Sequence, residues 1–373
     1  MKELSINLMR LRKLNGLTQQ DIAQAAGISR VAYRNLEKGD AEPRENTLRA
    51  LAKVLNTSAM ELLAPVPELQ SLRYRANAQM TEQERAQGNQ LVVRSANWLQ
   101  DFNDIEIMLG QQKPCMLKPV RRGIKPENAA AKLRKELLGK NSTCDCVRDI
   151  CELLERAGIK ICLCDFNLAN LFGLSIGETD GGPAMAINTG KSISVERQIF
   201  SIAHELGHLV LHRHTYGQDY ADEYDAQERE ADSFASEFLM PMALFTAEWN
   251  ENRGLHWVDA ILKTKRHFKV SYQTVLHRLI DMGKAKSPDI YKQFRADYQE
   301  RYGKKLHWKE EPPTRIGDEP RHLDSLDLME DRLGSLVRDA LDAELITVSR
   351  AAEILNIKIE EMRGRLKSWR VIL

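Results

Sequence analysis

The chain has 373 residues, of which 43% are hydrophobic and 29% charged, and its formal net charge is +1. Its length exceeds what one hydrophobic core usually organises, so we expect two or three domains. The composition excludes a disordered chain, and the lack of an apolar run of about 18 residues excludes a membrane-spanning helix. With a net charge near zero, any affinity for nucleic acid must come from a local basic surface.

The N-terminus alternates charged and apolar residues and lacks the apolar block of a signal peptide, so we expect a cytoplasmic protein without a membrane partner. Six cysteines include the pairs Cys144/Cys146 and Cys162/Cys164, each with one intervening residue. Structural zinc sites usually have two residues between paired cysteines, so we interpret these residues as reduced thiols.

Residues 1 to about 65 predict five short helices. The first three cover Ile6–Lys13, Gln19–Ala26 and Arg30–Lys38, the fourth runs to Val54 and the fifth starts at Ser58. The boundaries follow from capping residues, with N-caps at Thr18 and Ser29 and left-handed helix ends at Gly27 and Gly39.

The segment from about 66 to 125 is polar and predicts a connecting helix near Thr81–Leu109. A stronger helical pattern covers about 126–158, and three β-like runs follow at Lys160–Asp165, Leu171–Ile176 and Ala184–Asn188. We expect the last of these to be an edge strand that can hold an extended peptide by strand addition. Two long helices are predicted after it, at Val195–His212 and Asp225–Leu239.

The segment Lys284–Arg321 is polar and contains prolines, so it is predicted to be a linker. Helical patterns return from about 322, with Ser349 as the expected cap of Arg350–Asn356 and a further helix to Trp369. From Thr347 to Trp369 this tail has roughly the helix and turn lengths of a helix-turn-helix. Because base-reading positions are not recognisable in it, we interpret the tail as a packing or oligomerisation module.

The segment from Leu17 to Gly39 has the pattern of two short helices that cross at a steep angle. Its contact positions are apolar or small: Ile22, Ala23, Ala26, Ile28, Val31 and Leu36. The same pattern leaves five side chains facing outward: Gln19, Ser29, Arg30, Tyr33 and Arg34. In this geometry the second helix contacts base edges while the first lies over the phosphates. A helical bundle used only for protein contacts is the alternative.

The segment from Leu17 to Gly39 carries a resemblance to the Xre-type helix-turn-helix family of phage-repressor-like proteins, and the resemblance extends over residues 5 to 63. The resemblance implies a five-helix, lambda-repressor-like domain that binds a double-stranded DNA operator, with the five outward residues as candidate contacts. Arg30 and Arg34 would either read guanine or bind phosphate. Several acidic residues between 37 and 45 make the basic surface modest, so we expect a homodimer to supply enough phosphate contacts.

A second motif, His204-Glu205-Leu206-Gly207-His208, lies in a predicted helix that is otherwise apolar. Histidines four residues apart project from one face of a helix, so both imidazoles can bind one Zn²⁺ ion, and Glu205 can act as a general base. Three polar groups in a mostly buried helix need partners, which a metal provides. The alternative is a pair of histidines satisfied by hydrogen bonds in an ordinary core.

A catalytic zinc site usually has three protein ligands. The next helix offers Glu228 and Glu230 beside an apolar stripe that runs from Ala231 to Leu239. At about 100° per residue, Glu228 falls within the stripe and Glu230 lies to its side. We therefore predict Glu228 as the third ligand. Glu230 is the alternative ligand, or else a solvated carboxylate or one that supports a ligand.

The stretches Glu196–His212 and Glu228–Pro241 resemble the ImmA/IrrE family of metallopeptidases, over about residues 126 to 285. The resemblance implies a zincin-like fold in which the two histidines and the downstream glutamate hold zinc and Glu205 is catalytic. It also implies site-specific cleavage of a repressor or related regulator. The order of domains is similar to Xre regulators that carry an ImmA/IrrE domain. Candidate oxyanion stabilisers, for which surface or capping roles are the alternative, are His212, His214, Tyr216, Tyr220 and Tyr224.

The sequence thus predicts an α+β, mostly α chain. Its parts are a helix-turn-helix domain (1–68), a linker with a helix (69–125), a zinc metallopeptidase domain (126–285), a second linker (286–321) and a helical C-terminal module (322–373). The expected function is a DNA-binding transcriptional regulator with a zinc-dependent endopeptidase domain that cleaves a repressor-type or partner protein. The alternative is a non-catalytic antitoxin or repressor whose zinc domain binds a partner toxin or ligand.

Overall fold

In the computed structural model the chain forms two units. The first spans Met1–Leu69 with Arg75–Gln100 and Phe166–Leu168, and the second spans Gln70–Tyr74, Asp101–Asp165 and Ala169–Leu373. The structure describes residues 2–14, 17–55, 57, 59–63, 69–73, 82–139, 146–168, 170–216, 224–284, 289–306, 323 and 325–370. These residues are mostly helical and include one four-stranded sheet, which confirms the predicted fold class.

The first unit begins with the five predicted helices, which are α1 (Lys2–Leu14), α2 (Gln19–Ala25), α3 (Arg30–Lys38), α4 (Glu45–Val54) and α5 (Ala59–Leu63). Thr18 caps α2 in a capping box with Asp21, and Ser29 caps α3 through the Ala32 amide. Gly27 and Gly39 have φ angles of 69° and 80°, as predicted for left-handed helix ends. The core of this unit is a single apolar cluster to which all five helices contribute.

A long helix, α6 (Glu82–Leu109), follows where the connecting helix was predicted, and it is divided between the two units. The remaining helices belong to the second unit: α7 (Pro126–Leu138), α8 (Ile150–Arg156), α9 (Val195–Leu211), α10 (Tyr224–Leu239), α11 (Met242–Glu251), α12 (Trp257–Phe268), α13 (Tyr272–Asp281), α14 (Asp289–Tyr302), α15 (Arg332–Asp342), α16 (Val348–Ile354) and α17 (Ile359–Arg370).

The sheet contains β1 (Leu72–Arg73), β2 (Lys160–Cys164), β3 (Gly173–Ile176) and β4 (Ala184–Asn188), in the spatial order β1-β3-β4-β2. β2 pairs parallel with β4, whereas β3 is antiparallel to both β1 and β4. The prediction that β4 is an edge strand is therefore wrong. All five of its residues are buried because it has a strand on each side, so a peptide cannot be added to it.

The two long helices α9 and α10 pack closely where a glycine of one meets an alanine of the other. A Cβ atom placed on Gly207 would lie 3.2 Å from Ala231 Cα and 3.2 Å from Phe234 Cδ1. Helices approach this closely only where small residues face each other. The C-terminal end of α10 is anchored by buried arginines, since Arg134 donates to the Phe238 carbonyl and Arg278 to the Met240 carbonyl.

Two segments predicted to be linkers contribute to the second unit. β1 lies within the segment 69–125, and α14 lies within 286–321 with Ile290, Phe294 and Tyr298 buried. Both linker predictions are wrong at these residues. The apolar positions of α14 are spaced four residues apart, but its many charged residues and the neighbouring prolines hide that helical pattern.

The C-terminal helices are joined to the rest of the second unit by ion pairs. Arg332 at the start of α15 pairs with the buried Glu106, and Arg350 in α16 pairs with Asp101. The N-cap of α16 is Thr347, whose hydroxyl accepts from the Arg350 amide, so the prediction of Ser349 as the cap is wrong by two residues.

Two broader expectations also have counterparts in the structure. The cysteines that the structure describes are free thiols, and Cys144 lies outside the described residues. Within the part of the chain that is described, no helix combines the length and the apolar character needed to cross a bilayer.

Candidate functional site

The structure brings together the three predicted metal ligands, His204 and His208 on α9 and Glu228 on α10. The two Nε2 atoms are 3.0 Å apart, and the Glu228 carboxylate lies 3.2 Å from each of them, Oε2 from His204 and Oε1 from His208. Within the described ranges, these residues form a group of donor atoms close enough to hold one metal ion.

Local sequence and helix packing together produce this cluster. The hydroxyl of Ser194 caps α9, and the four-residue spacing puts both imidazoles on the same face. Glu228 lies one turn before Ala231, which faces Gly207 at the crossing of α9 and α10. Because that crossing is so close, a glutamate side chain on α10 reaches both rings.

Each histidine is oriented by a hydrogen bond at its other ring nitrogen. His204 Nδ1 donates to Asp232 at 2.9 Å, and His208 Nδ1 lies 2.9 Å from Nδ1 of the buried His212. His212 Nε2 in turn lies 2.9 Å from Glu230. If His212 Nε2 donates to this carboxylate, its Nδ1 accepts from His208, which leaves the Nε2 lone pair of His208 facing the cluster.

The pKa values of the three clustered residues are shifted in different directions. Burial alone would lower the pKa of His204, but hydrogen bonds to Asp232 and Glu228 outweigh it and raise that pKa to about 10. Burial lowers the pKa of His208 to about 3. Burial opposes ionisation of Glu228 as well, yet its contacts with His204 and His208 hold its pKa well below the usual range. Positive charge is therefore stabilised between two nitrogens and a carboxylate.

These residues fit a divalent cation. Three acceptor atoms converge at about 3 Å, a distance at which they need a proton or a cation between them. Two imidazoles and one carboxylate are a common protein ligand set for catalytic zinc, and the hydrogen bonds at both Nδ1 atoms are the support that such histidines usually have.

Glu205 is buried beside the cluster and faces strand β3. A Cβ atom on Gly173 would lie 2.9 Å from Glu205 Oε1, so the glycine leaves room for the carboxylate. Ser175 hydrogen-bonds the carboxylate, and Tyr216 donates to Ser175 Oγ at 2.8 Å. Burial raises the pKa of Glu205 above the ordinary value for a glutamate. The arrangement suits a carboxylate that accepts and returns a proton.

Arg73 of β1 reaches the cluster from the sheet. Its guanidinium is buried, donates to Thr215 and Gln227, and lies 3.6 Å from Glu228 Oε1. Arg73 could not be predicted from the sequence, because it lies more than 130 positions before His204 in a segment interpreted as a linker. Asp232 is different, since its four-residue spacing from Glu228 matches that of the two histidines and would have identified it.

The other predicted site residues are distributed around the cluster. Glu230 is about half exposed and contacts His212, which is buried, so a surface role for His212 is wrong. His214 is exposed, and Tyr216 is the predicted tyrosine that contacts the Glu205 network through Ser175. Tyr220 and the side chain of Tyr224 lie outside the described residues.

In the helix-turn-helix segment, Ser29, Arg30 and Arg34 are exposed on α3. Gln19 is partly buried and donates to Glu37 at 2.7 Å. Val31 was expected in the helix contact but is 62% exposed, so it lies on the same outward side as Arg30 and Arg34. The outward surface of α3 is therefore basic with one apolar residue.

Tyr33 was predicted to face outward, and this is wrong. Its side chain is fully buried, and its hydroxyl donates to the Leu8 carbonyl at 3.4 Å. Helical spacing explains the error, because Tyr33 lies three residues before Leu36 and one turn after Ser29, on the boundary of the buried face. A tyrosine can occupy such a position by burying its ring if its hydroxyl finds an acceptor.

Comparison with known proteins finds relatives of both domains. Residues 154–280 match the peptidase M78 family, described as an IrrE N-terminal-like domain, and residues 8–62 match a helix-turn-helix family. The chain is 37% identical over 67 residues to an uncharacterised HTH-type transcriptional regulator, y4dJ, of Sinorhizobium fredii, which covers 18% of this chain and 87% of that protein. It is 42% identical over 59 residues to another, YqaE, of Bacillus subtilis, which covers 16% and 51%.

The chain therefore belongs to the Xre-type helix-turn-helix regulators and carries an IrrE/ImmA-like peptidase M78 domain. Its first unit supplies the DNA-binding domain. Its second unit has a metallopeptidase-family fold, and the cluster of His204, His208 and Glu228 lies within the matched region.

The burial of Tyr33 leads to a test of its role. We expect Tyr33→Ala to destabilise the first unit by about 3–5 kcal/mol, because a buried aromatic ring is lost. Tyr33→Phe removes one hydrogen bond and should cost only about 0.5–1.5 kcal/mol. Thermal unfolding of both variants measures the difference. If Tyr33→Ala were as stable as the unchanged protein, the side chain would have to be exposed in solution.

Proposed function

We propose that this protein is a DNA-binding regulator whose M78 domain is a zinc-dependent endopeptidase that cleaves a repressor-type or partner protein. The observation that carries the proposal is the convergence of His204, His208 and Glu228 beside the buried Glu205. This arrangement has the ligand set of a catalytic zinc site together with a separate carboxylate for proton transfer.

The chain's own residues divide the work of peptide hydrolysis among them. His204, His208 and Glu228 hold zinc, which supplies Lewis acidity for polarising a carbonyl when it is bound. Glu205 takes a proton from the attacking water and returns it to the leaving amine. Ser175 positions the Glu205 carboxylate, and Tyr216 supports Ser175. Asp232 and His212 fix the two ligand rings.

A cavity next to these residues offers room for a substrate side chain. Its volume is about 330 Å³, and its lining includes Ser71, Gly177, Leu209, Arg213 and Tyr216. Tyr216 belongs both to this cavity and to the hydrogen-bonded chain that ends at Glu205. The cavity is therefore linked to Glu205 through Tyr216 and Ser175, which supports it as a pocket for a substrate side chain.

A second candidate function is a regulator whose metal domain binds a partner toxin or ligand without hydrolysis. One observation favours it. The guanidinium of Arg73 lies 3.6 Å from Glu228, and a fixed cation so close to this carboxylate weakens its hold on the divalent ion, which hydrolysis needs more than partner binding does. The two candidate functions differ in whether the partner protein is cleaved and whether removal of the Glu205 carboxylate prevents that cleavage.

For the DNA-binding domain, the proposed partner is a double-stranded operator bound by a homodimer. Ser29, Arg30 and Arg34 are the contact residues on α3, and Gln19 lies at the start of α2. A single domain with so few basic side chains makes few phosphate contacts, and a dimer doubles them.

Metal content tests the third ligand. We expect Glu228→Ala to be isolated with little zinc, because its carboxylate lies 3.2 Å from both histidine nitrogens. Glu230→Ala should keep the ion with an affinity reduced about 10- to 100-fold, since that carboxylate acts only through His212. Zinc analysis of the two folded variants measures this, and the reverse order would assign the ligand to Glu230.

Glu205→Gln separates metal binding from catalysis. Glu205 is not one of the three converging donors, so the variant should retain zinc while any peptidase activity falls by at least about 100-fold. The measurement is incubation of the zinc-loaded protein with the products of neighbouring genes, followed by mass spectrometry. Cleavage by both proteins at equal rates would remove Glu205 from the mechanism, and cleavage by neither would favour the second candidate.

The DNA contact is tested by changing both Arg30 and Arg34 to Ala. Both side chains are exposed on α3, so the double variant should fold normally, keep its zinc and bind operator DNA at least about tenfold more weakly. Gel-shift titration at a fixed salt concentration provides the measurement. An unchanged affinity would exclude α3 as the recognition helix.

A further inference from the structure

The last three helices that the structure describes have nearly the same spacing along the sequence as the first three. α1 covers residues 2–14 and α15 covers 332–342. Adding 329 to the residue numbers of α1 therefore gives the position of α15 to within one residue at each end. The same offset takes α2, at residues 19–25, onto α16, at 348–354. It also takes the first residue of α3, Arg30, onto the first residue of α17, Ile359. No insertion or deletion separates the two copies.

The capping and turn geometry is repeated at the same offset. Thr18 and Thr347 are both N-caps whose hydroxyls accept an amide three residues ahead. Gly27 and Asn356 both have positive φ, 69° and 50°. The turn is closed by the same backbone hydrogen bond, from Ile28 to Ala23 in the first copy and from Ile357 to Ala352 in the second. This is the turn of a helix-turn-helix, with asparagine in place of glycine at its left-handed position.

The buried positions also correspond. Each of the following pairs, separated by 329 residues, is buried in both copies: Leu4 and Leu333, Leu8 and Val337, Leu11 and Ala340, Ile22 and Ala351, Ala23 and Ala352, Tyr33 and Met362. Five of the positions from 2 to 34 carry the identical residue in the second copy, and one of them is Arg34, which corresponds to Arg363. These buried positions, together with the turn between α16 and α17, are those of a helix-turn-helix.

The outward face of α17 carries positive charge at the positions that correspond to the DNA face of α3. Lys358, Arg363 and Lys367 are all exposed, and they correspond to Ser29, Arg34 and Lys38. Arg365 on the same helix is paired with Glu361, so it does not add to this set.

Between these cations, the exposed face of α17 has a glycine that lets another molecule approach the helix backbone closely. Gly364 is exposed on α17, and a Cβ atom there would meet no other atom within 4 Å. Packing inside the protein therefore does not require a glycine at this position, although glycine destabilises a helix relative to alanine. Exposed Glu360 lies on the same side, and a glutamate can accept a hydrogen bond from cytosine in the major groove.

The attachment of the second copy leaves this face uncovered. Arg332 and Asp339 of α15 contact Glu106 and Gln111, and Arg350 of α16 contacts Asp101. These contacts come from the first two helices of the copy. The third helix keeps Lys358, Arg363 and Lys367 exposed within the described structure.

We propose that residues 331–370 form a second DNA-binding unit, in which α17 enters the major groove of duplex DNA. The ligand is duplex DNA because the fold is that of a groove-reading motif and its outward face presents three cations around a glycine. The acidic Glu360 and Glu361 lower the affinity for DNA, so the phosphate contacts of Lys358, Arg363 and Lys367 are expected to supply most of the binding of this unit to any duplex.

The test uses the full chain with the first unit silenced by Arg30→Ala and Arg34→Ala. Binding of a fluorescein-labelled duplex pool of 30 random base pairs is followed by anisotropy between 50 and 200 mM KCl. On this background, Lys358→Ala, Arg363→Ala and Lys367→Ala together should weaken binding at 50 mM at least about tenfold. They should also lower the slope of log K against log salt by about 2.7, as expected for three phosphate contacts.

The matched control removes three other exposed cations of the second unit, Arg121, Arg122 and Lys125, on the same background. It should change the slope by less than about 1. Equal effects of the two triple variants would overturn the proposal, as would the loss of all DNA binding in the background protein itself. Sedimentation of the DNA-free proteins tests whether this face of α17 binds another copy of the protein instead of DNA. If the α17 variant altered oligomeric state while DNA affinity stayed constant, the face would be a protein interface.

Discussion

The close crossing of α9 and α10 is the constraint on which the cluster of His204, His208 and Glu228 depends. Gly207 and Ala231 leave no side chain between the two backbones, so a Cβ at Gly207 would lie 3.2 Å from Ala231 Cα. A glutamate one turn before Ala231 can then reach both histidines on α9. A larger residue at either position would separate the helices and move Glu228 away from nitrogens that it now meets at 3.2 Å. The glycine inside the histidine motif is thus a packing residue.

Burial of the motif helix explains the hydrogen bonds around the centre. A polar ring in a buried position costs free energy unless both nitrogens have partners. Asp232 and His212 supply those partners at the Nδ1 atoms, and Glu228 supplies one at the Nε2 atoms. Ser175 does the same for Glu205. The residues that would hold a metal are therefore held in place by neighbours on three separate elements.

Features that depend on the spacing of neighbouring residues could be predicted from the sequence. Features that depend on contacts between distant segments could not. N-caps at Thr18 and Ser29, and histidines on one helix face, follow from a few neighbouring residues, and the structure has them as expected. The choice of Glu228 over Glu230 needed only helical periodicity along α10. Tyr33 could not be placed, because its burial depends on an acceptor in α1, 25 positions away. The inner position of β4 depends on its pairing with β2, which begins 24 positions earlier, and the presence of Arg73 depends on β1, a strand of two residues whose sequence has no strand pattern.

β1 has a further consequence, because the chain that leaves the DNA-binding domain passes through it. Leu72 and Arg73 pair antiparallel with Ile176 and Ser175 of β3, so one short strand contacts both the residue that positions Glu205 and, through the Arg73 side chain, the carboxylate of Glu228. Two paired residues form a weak ladder. The position of the Arg73 guanidinium beside Glu228 therefore depends on the pairing of this short strand with β3.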